Sequence, residues 1–333
     1  MENILVIQTA FLGDLILTTP LFKKIKIKHP NSHVSVLVNR GTESILEMNP
    51  NLDRVIPVDK KSTFKNPFSF LKFLKFLRSL DFNICYSPHF SHRSSLVSFF
   101  SGSKLRIGYR ESGFSFLHSI TYERPLRGIH EVQKLDLLIG NSDFIRPEIF
   151  LNPKSIEDIV PYIANLPPYI AIAPSSLWET KRMPVEKFSD LILKILNKSE
   201  YLPVIIGSKS DIPLGKILSD RFSEKIINYV GKTNLQELSY IISRAKAVVS
   251  NDSSPIHIAS AFNVPTIAIF GATIPEFGYS PLSDLKYVSQ IELDCRPCGI
   301  HGGRFCPKQH FKCMMDQDIN GMFDQLIYLT GKY

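Results

Sequence analysis

The chain has 333 residues, of which 44% are hydrophobic and 21% charged, and its formal net charge is +8. This composition is typical of a soluble globular protein, and the length favours two domains over one. Lys, Arg or Pro interrupts every apolar run well short of the roughly 18 residues that a membrane-spanning helix needs. The sequence therefore predicts no transmembrane segment.

The start of the chain runs directly into an apolar stretch, Ile4 to Ile7, without a basic region before it. This pattern predicts no signal peptide and a cytoplasmic protein. Five cysteines in that compartment are expected to stay reduced, which favours packing or metal binding over disulfide bonds.

The positive charge is concentrated in the first half of the chain. Residues 1–150 hold 20 Lys and Arg against 13 Asp and Glu, whereas residues 151–333 hold 19 against 18. The first half therefore favours an anionic partner. Nucleic acid is disfavoured, because the charge is dispersed and no helix-turn-helix or RNA-binding signature accompanies it.

Strands and helices alternate through the first half. The pattern predicts strands over 4–7, 33–38, 55–58 and 83–86, a further extended segment around 106–108, and helices over 14–28, 42–48, 68–79, 92–100 and 129–138. Such alternation is typical of an α/β domain with a doubly wound parallel sheet. Five prolines within 141–168 indicate a linker there.

The second half repeats the alternation. It predicts strands over 169–173, 203–206, 226–229, 247–250 and 266–270, and helices over 185–196, 212–222, 234–244 and 255–262. We therefore predict two Rossmann-like domains, residues 1–155 and 156–333. Open parallel sheets bind ligands at the carboxyl ends of their strands, so the residues that follow the strands are the candidates for a functional site.

Gly13 and Asp14 follow the first strand and open the first helix. A carboxylate in the first turn of a helix is stabilised by the helix dipole. Asp14 is therefore predicted to be ionised and could act as a general base, or it could serve only to stabilise the helix.

A second strand-to-helix turn holds Asp252, Ser253 and Ser254, with Pro255 at a favoured first helical position. Backbone N–H groups and small hydroxyls at a helix start suit a phosphate group. The alternative is ordinary capping by Asp252 or Ser253 without any ligand.

A third candidate segment follows the strand predicted over 169–173. It offers two hydroxyls, Ser175 and Ser176, and the cation Lys181 before a helix that begins near Pro184. This is again a phosphate-type environment, although a plain turn with a solvated lysine would have the same sequence.

The segment Phe68 to Leu80 is strongly apolar, with Lys72, Lys75 and Arg78 along one stripe. It indicates either contact with an anionic membrane surface or acceptor lipid, or a core-packed helix with a narrow solvated stripe.

Four cysteines near the end of the chain have the spacing C-x2-C-x7-C-x6-C. Their thiolates could complete a tetrahedral structural zinc site, although the last two do not form a close pair. They are Cys295, Cys298, Cys306 and Cys313.

The sequence also resembles a known family in several motifs that occur in the same order. QTAFLGDLILTTP (8–20), SKLRIGYR (103–110), HEVQKLDLL (130–138), APSSLWETKRMP (173–184), NDSSPIHIASA (251–261) and the C-terminal CRPC are similar to glycosyltransferase family 9. Within that family they are most similar to the lipopolysaccharide heptosyltransferases of the ADP-heptose:LPS heptosyltransferase II type.

The resemblance implies a GT-B fold, in which two Rossmann-like domains face a central cleft. It also implies an inverting transfer of heptose from ADP-heptose to the lipopolysaccharide inner core, with no cofactor required. The N-terminal domain would bind the lipid A core acceptor and the C-terminal domain the donor, in the cytoplasm and in peripheral contact with the anionic inner face of the inner membrane.

The resemblance further implies roles for particular residues. Asp14 resembles the catalytic base, and Lys60, Lys61 and Arg106 are candidates for acceptor binding. The donor-binding candidates are Ser175, Ser176, Lys181, Asp211, Asp252, Ser253, Ser254 and His257. The alternatives are another GT-B enzyme with a different sugar-nucleotide donor, an epimerase of similar architecture, and a non-catalytic protein that binds anionic lipid.

Overall fold

A computed structural model describes residues 2–140 and 143–331. The chain divides into two compact units, Met1–Phe150 and Leu151–Tyr333, close to the boundary that the sequence predicts after residue 155. Asn141 and Ser142, at the start of the predicted linker, lie outside the described residues.

The first unit is an alternation of strands and helices. Its strands are β1 (Asn3–Gln8), β2 (His33–Asn39), β3 (Arg54–Val58), β4 (Ile84–Tyr86), β5 (Leu105–Tyr109) and β6 (Ile120–Tyr122). Its helices are α1 (Leu12–Lys28), α2 (Lys60–Lys65), α3 (Pro67–Arg78), α4 (His92–Phe100) and α5 (Glu131–Leu137).

The six strands form one sheet in the order β3-β2-β1-β4-β5-β6, and every neighbouring pair is parallel. On one face, Leu5 and Ile7 of β1 and Leu37 of β2 pack with Leu77 of α3 in a buried apolar cluster. The strand order reverses between β1 and β4, which is where open sheets of this kind bind ligands.

The second unit begins with two short helices and then repeats the alternation. Its helices are α6 (Pro153–Ile156), α7 (Val160–Ala164), α8 (Val185–Lys198), α9 (Ile212–Phe222), α10 (Leu235–Arg244), α11 (Ser254–Ala261), α12 (Lys312–Met315) and α13 (Ile319–Leu329). Its strands are β7 (Tyr169–Ala173), β8 (Leu202–Ile205), β9 (Ile227–Asn228), β10 (Ala247–Asn251), β11 (Thr266–Phe270) and β12 (Lys286–Gln290).

This second sheet has the order β12-β11-β10-β7-β8-β9, again with parallel pairing throughout. Ile170 and Ile172 of β7, Leu191 of α8 and Leu326 of α13 share its largest buried cluster. The order reverses between β7 and β10, so the segments after these two strands meet at the ligand-binding edge.

The predicted α/β class with two doubly wound parallel sheets is confirmed, with differences in individual elements. The helix expected over 42–48 is only a 3-10 turn, Glu43–Leu46. Met48 has a positive φ of 57°, and Pro50 disfavours a helical conformation for the residue before it. The predicted linker contains α6 and α7, and the sequence patterns did not reveal α2, β6, β12, α12 or α13.

No helix in the described ranges, 2–140 and 143–331, is both long enough and apolar enough to cross a bilayer.

Candidate active site

The turn after β1 is held in place by side chains of the first unit. Gln8 accepts the N–H of Ala10 at 3.3 Å and donates to the hydroxyl of Thr18 at 2.8 Å. Asn39, at the end of β2, donates to the carbonyl of Ala10 at 2.6 Å. The start of α1 is thereby fixed to the carboxyl edge of the sheet.

Asp14 lies half-buried in the first turn of α1, as the sequence predicts. Its carboxylate accepts the N–H of Phe11 at 3.2 Å, which matches the preference of helix N-termini for negative charge. Lys60 is close by. Burial and the neighbouring Arg93 lower the pKa of Lys60, whereas the charge of Asp14 raises it.

A cavity of about 330 Å³ lies at the reversal point of the first sheet. The cations Lys60 and Arg93 line it, together with His89. His89 Nδ1 lies 2.9 Å from the hydroxyl of Thr9 and 3.0 Å from that of Ser94. Burial, assisted by the charge of Lys60, lowers the pKa of His89 to about 4, so its ring is neutral at pH 7. We call this cavity the basic pocket.

Of the three predicted acceptor-binding residues, the structure places only Lys60 in the basic pocket. Lys61 is exposed on α2 and does not line the cavity. Arg106 lies near the amino end of β5, where its guanidinium donates to the carbonyls of Leu117 at 2.8 Å and Ser103 at 2.7 Å. Its side chain is thus engaged in the fold, away from the carboxyl edge.

In the second unit, α11 begins without a side-chain cap at its first N–H groups. Ser253 occupies the N-cap position, but its hydroxyl lies 3.2 Å from the carbonyl of Asn251 and 3.2 Å from the hydroxyl of Ser250. The capping alternative therefore does not describe Ser253. The helix start keeps N–H groups that can bind an anion.

Lys181 lies beside this helix start and is paired with Asp252. The ammonium is 2.5 Å from the carboxylate, and the exposed fractions of the two side chains are only 13% and 6%. Thr273 donates a further hydrogen bond to the same carboxylate oxygen at 2.7 Å. The pair is therefore a well-ordered, largely desolvated ion pair.

Ser175 and Asp211 meet at the edge of a larger cavity of about 740 Å³. The hydroxyl of Ser175 donates to Asp211 at 2.5 Å, and the other oxygen of that carboxylate accepts from the N–H and the hydroxyl of Ser208. Arg182 and Phe305 also line this cavity. We call it the large pocket.

Three further predicted donor residues lie at the same edge. The hydroxyl of Ser176 is 3.5 Å from the carbonyl of Asp252. Ser254 is the first residue of α11, and His257 is buried one turn later, with its ring 6.3 Å from that of Tyr279. Reversal of the strand order between β7 and β10 is what brings all these segments together.

Sequence reasoning missed several residues of these sites. His89 and Arg93 follow β4, and the rule that ligands bind beyond strand ends could have drawn attention to them. Thr273 donates to Asp252, 21 residues earlier in the sequence, and no local pattern marks such a partner. Arg182 lies within the segment 173–184 that the sequence indicates, where it donates to the carbonyl of Ser176.

The predicted four-cysteine zinc site is not formed as a metal-binding group among the described residues. Over residues 2–140 and 143–331, no group of three or more His, Cys, Asp or Glu side chains is arranged to hold a metal ion. The Cys298 thiol donates to the carbonyl of Cys295, and Cys313 is buried in α12, where burial raises its pKa to about 11.

Known proteins resemble this chain over nearly its whole length. The model of glycosyltransferase family 9 (heptosyltransferase) matches residues 70–305. Lipooligosaccharide heptosyltransferase 2 of Haemophilus influenzae is 26% identical over 325 residues, which cover 87% of this chain and 88% of the relative.

Two solved structures confirm the GT-B fold. A family 9 glycosyltransferase from Veillonella parvula has a TM-score of 0.88 and 19% identity, over 100% of this chain and 98% of its own. The ADP-heptose lps heptosyltransferase II of E. coli has a TM-score of 0.81 and 21% identity, over 99% and 98%. The family match covers well over half of the sequence, and the protein is therefore a glycosyltransferase that belongs to glycosyltransferase family 9 (heptosyltransferase).

Proposed function

We propose that the protein is an inverting glycosyltransferase that transfers a heptose from ADP-heptose to the inner core of lipopolysaccharide. The family supports the reaction class. The names of the relative from Haemophilus influenzae and of the E. coli structure, an ADP-heptose lps heptosyltransferase, support the donor and the acceptor.

The observation that carries the proposal is the anion site at the start of α11. Its uncapped N–H groups, the hydroxyl of Ser253 and the ammonium of Lys181 lie around one helix terminus. A diphosphate has the charge and the acceptor oxygens that such a terminus binds. We therefore assign the second unit, here taken as residues 156–333, to the nucleotide-sugar donor.

The remaining donor candidates surround this terminus. Ser175 and Ser176 would add hydroxyl donors to the phosphates, with Ser254 and His257 completing the turn. Asp211 would hold the ribose hydroxyls in the large pocket, where its carboxylate is the hydrogen-bond acceptor for Ser175. The ribose hydroxyls of a bound nucleoside can replace Ser175 as hydrogen-bond donors to Asp211.

We assign the first unit to the acceptor. The basic pocket offers two cations beside Asp14, and lipopolysaccharide inner cores carry anionic groups that such cations bind. Asp14 would accept the proton of the attacking hydroxyl. A general base in this role contributes about 10²–10⁴-fold to the rate.

The bonds change in one displacement. The acceptor oxygen forms a bond to the anomeric carbon of the heptose as its proton passes to Asp14, and the bond from that carbon to the phosphate oxygen breaks. ADP leaves from the opposite face, which inverts the anomeric configuration. Lys181 and the start of α11 stabilise the charge that develops on the leaving phosphate, so the proposal assigns no step to a cofactor.

We place the reaction in the cytoplasm, at the inner face of the inner membrane, where a lipid-linked acceptor would be available. The excess of basic residues in the first unit, 20 against 13 acidic residues, supports contact with an anionic surface.

The test is a panel of nucleotide sugars offered to the purified protein with a defined inner-core acceptor. We expect release of ADP and transfer of one heptose only with ADP-heptose, in the presence of excess chelator as well as in its absence. Turnover with a hexose donor in preference to ADP-heptose would contradict the assigned donor, and conversion of the free nucleotide sugar without acceptor would favour an epimerase.

A further inference from the structure

We propose that the outward face of α3 is a docking surface for an anionic phospholipid bilayer, in which exposed aromatic and aliphatic side chains enter the interface and lysines contact lipid phosphates. We call this face the docking face and define it by Phe68, Leu71, Lys72, Lys75 and Phe76. This proposal goes beyond the transfer of sugar and names a partner surface for the first unit.

The inward face of α3 accounts for the packing of the helix. Leu74 and Leu77 are buried in the core cluster of the first sheet, and Phe70 and Phe73 pack against it. These positions have the spacing of one helical face. Core packing, the alternative drawn from the sequence, therefore explains this half of the helix only.

The docking face is apolar where no packing requires it. The exposed fractions are 84% for Phe68, 62% for Leu71 and 46% for Phe76. Single exposed apolar residues are ordinary, but three large ones on one face of one short helix are typical of an interaction surface.

The charge of this segment selects an anionic partner. Residues 60–80 contain six basic residues and no acidic residue. Solvated helix surfaces usually mix the two signs. Asp59 and Asp81 flank the segment. Asp59 is engaged as the N-cap of α2, where its carboxylate accepts the N–H of Lys61 at 2.8 Å, and Asp81 lies beyond the end of α3.

A bilayer fits this face better than a second copy of the chain does. A symmetric dimer across this face would bring Lys72 and Lys75 of both copies into one interface to which the face adds no acidic residue, and like charges repel. Lysines interleaved with Phe and Leu match helices that lie in a membrane interface, with apolar side chains among the acyl chains and ammonium groups at the phosphates.

The docking face also lies close to the basic pocket. Phe64 lines the pocket and packs on the inward side of α3, with its ring 5.4 Å from that of Phe70 and 6.3 Å from that of Phe73. One helix, about 10 Å across, therefore separates the bilayer contact from the pocket. This step rests on the proposed function, because it places the pocket within reach of sugars attached to a lipid anchor.

The experiment measures binding of the full chain to vesicles of phosphatidylcholine, with and without phosphatidylglycerol, in the absence of nucleotide sugar. We expect binding only to the anionic vesicles, weakened by salt. Two double variants, Phe68→Ser with Leu71→Ser and Lys72→Glu with Lys75→Glu, are each expected to bind about tenfold more weakly or worse.

The matched control is Ile217→Ser with Lys216→Glu on α9 of the second unit. Ile217 is 51% exposed, and Lys216 lies 2.6 Å from Asp220, so this helix combines an apolar side chain with mixed charge. We expect the control to bind vesicles as the unchanged protein does. Circular dichroism of each variant checks that the exposed substitutions leave the fold intact.

The proposal is overturned if the unchanged protein fails to prefer anionic vesicles, if both docking-face variants bind normally, or if the control loses binding equally. Transfer to a soluble acceptor without its lipid should be unaffected in the docking-face variants. If the proposed function is wrong, neither the unchanged protein nor any variant transfers heptose to the soluble acceptor, whereas vesicle binding is unaffected. The two failures are therefore distinguishable.

Discussion

Both sheets place polar residues beyond the carboxyl ends of their central strands, but the charges of these residues differ between the two units. In the first unit, Lys60 and Arg93 line one pocket together with a His89 ring that is neutral at pH 7, and the carboxylate of Asp14 lies close to Lys60. In the second unit, the cation Lys181 is already paired with Asp252. The binding edge of the first unit thus has two cations near one carboxylate, whereas in the second unit Lys181 forms an ion pair with Asp252.

This difference bears on how each unit would bind its ligand. A ligand of the basic pocket meets positive charge directly, so an anionic group gains from electrostatic attraction. A diphosphate at α11 must share Lys181 with Asp252, so its affinity depends on hydrogen bonds from the helix start as well as on charge. Substitutions in the two units should therefore change different kinetic parameters.

The largest effect is expected for Asp14→Asn. The amide keeps the shape of the side chain but cannot accept the proton, so kcat should fall by about 10²–10⁴-fold, while the Kd for ADP stays unchanged. Steady-state kinetics and calorimetry measure the two quantities. Glu123→Gln, an exposed carboxylate of the same unit, serves as the control and should keep normal turnover. Near-normal turnover of Asp14→Asn would contradict the assignment of the base.

The next effect is expected for Lys181→Ala. Its removal takes a cation from the phosphate and leaves the buried carboxylate of Asp252 without its ion-pair partner, which should lower kcat/KM for the donor by about 30-fold or more. The comparison is Lys216→Ala, because Lys216 and Asp220 form an exposed pair that contributes little. Equal effects of Lys181→Ala and Lys216→Ala on kcat/KM would contradict a specific role of Lys181 in donor binding.

A smaller effect is expected for Ser175→Ala. This change removes the hydroxyl that donates to Asp211 in the structure and that we assign to the phosphates of the bound donor. One such hydrogen bond is worth about 1 kcal/mol, so KM for the donor should rise several-fold with little change in kcat. Kinetics at varied donor concentration measure this, with varied acceptor concentration as the internal comparison. A rise in KM for the acceptor alone would contradict the assignment of the donor to the second unit.

The last prediction concerns the stability of the first unit and leaves turnover at pH 7 unchanged. Because burial lowers the pKa of His89 from its ordinary value of 6.5 to about 4, the unfolded chain takes up this proton more readily than the folded chain. The free energy of unfolding should therefore fall as the pH drops from about 6.5 towards 4, whereas above that range His89 adds no pH dependence.

Denaturant unfolding of the unchanged protein and of His89→Gln, compared at pH 7 and pH 4.5, checks this expectation. Gln removes the titrating group and can still form hydrogen bonds, so the variant should lose less stability on acidification. An equal loss in both proteins, or titration of His89 near pH 6.5 by NMR, would contradict burial as the cause.

The sequence predicted the two sheets and most of their strands because buried parallel strands are short apolar runs between helical patterns. It also pointed to Asp14, Asp252 and Lys181, since residues that follow such strands must lie at the binding edge. The short edge strand β6, with only three residues, offers too little pattern to be recognised. By contrast, α13 has a capping Asp318 and regular apolar spacing that could have predicted it.

Pairings between distant segments were beyond the reach of sequence patterns. The bond from Ser175 to Asp211 and the pair of Lys181 with Asp252 depend on the order of strands in the sheet, which the pattern of elements does not fix. Likewise, the cysteine spacing predicts a zinc site but does not determine how the four thiols are arranged in the fold.

The most direct test of the account is the anomeric configuration of the product. Purified protein, ADP-heptose and a defined inner-core acceptor would be incubated, and the new linkage determined by NMR and mass spectrometry. We predict a single added heptose whose anomeric configuration is opposite to that of the donor, formed by the unchanged protein and lost in Asp14→Asn. A product that retains the donor configuration, or no transfer of heptose at all, would contradict the account.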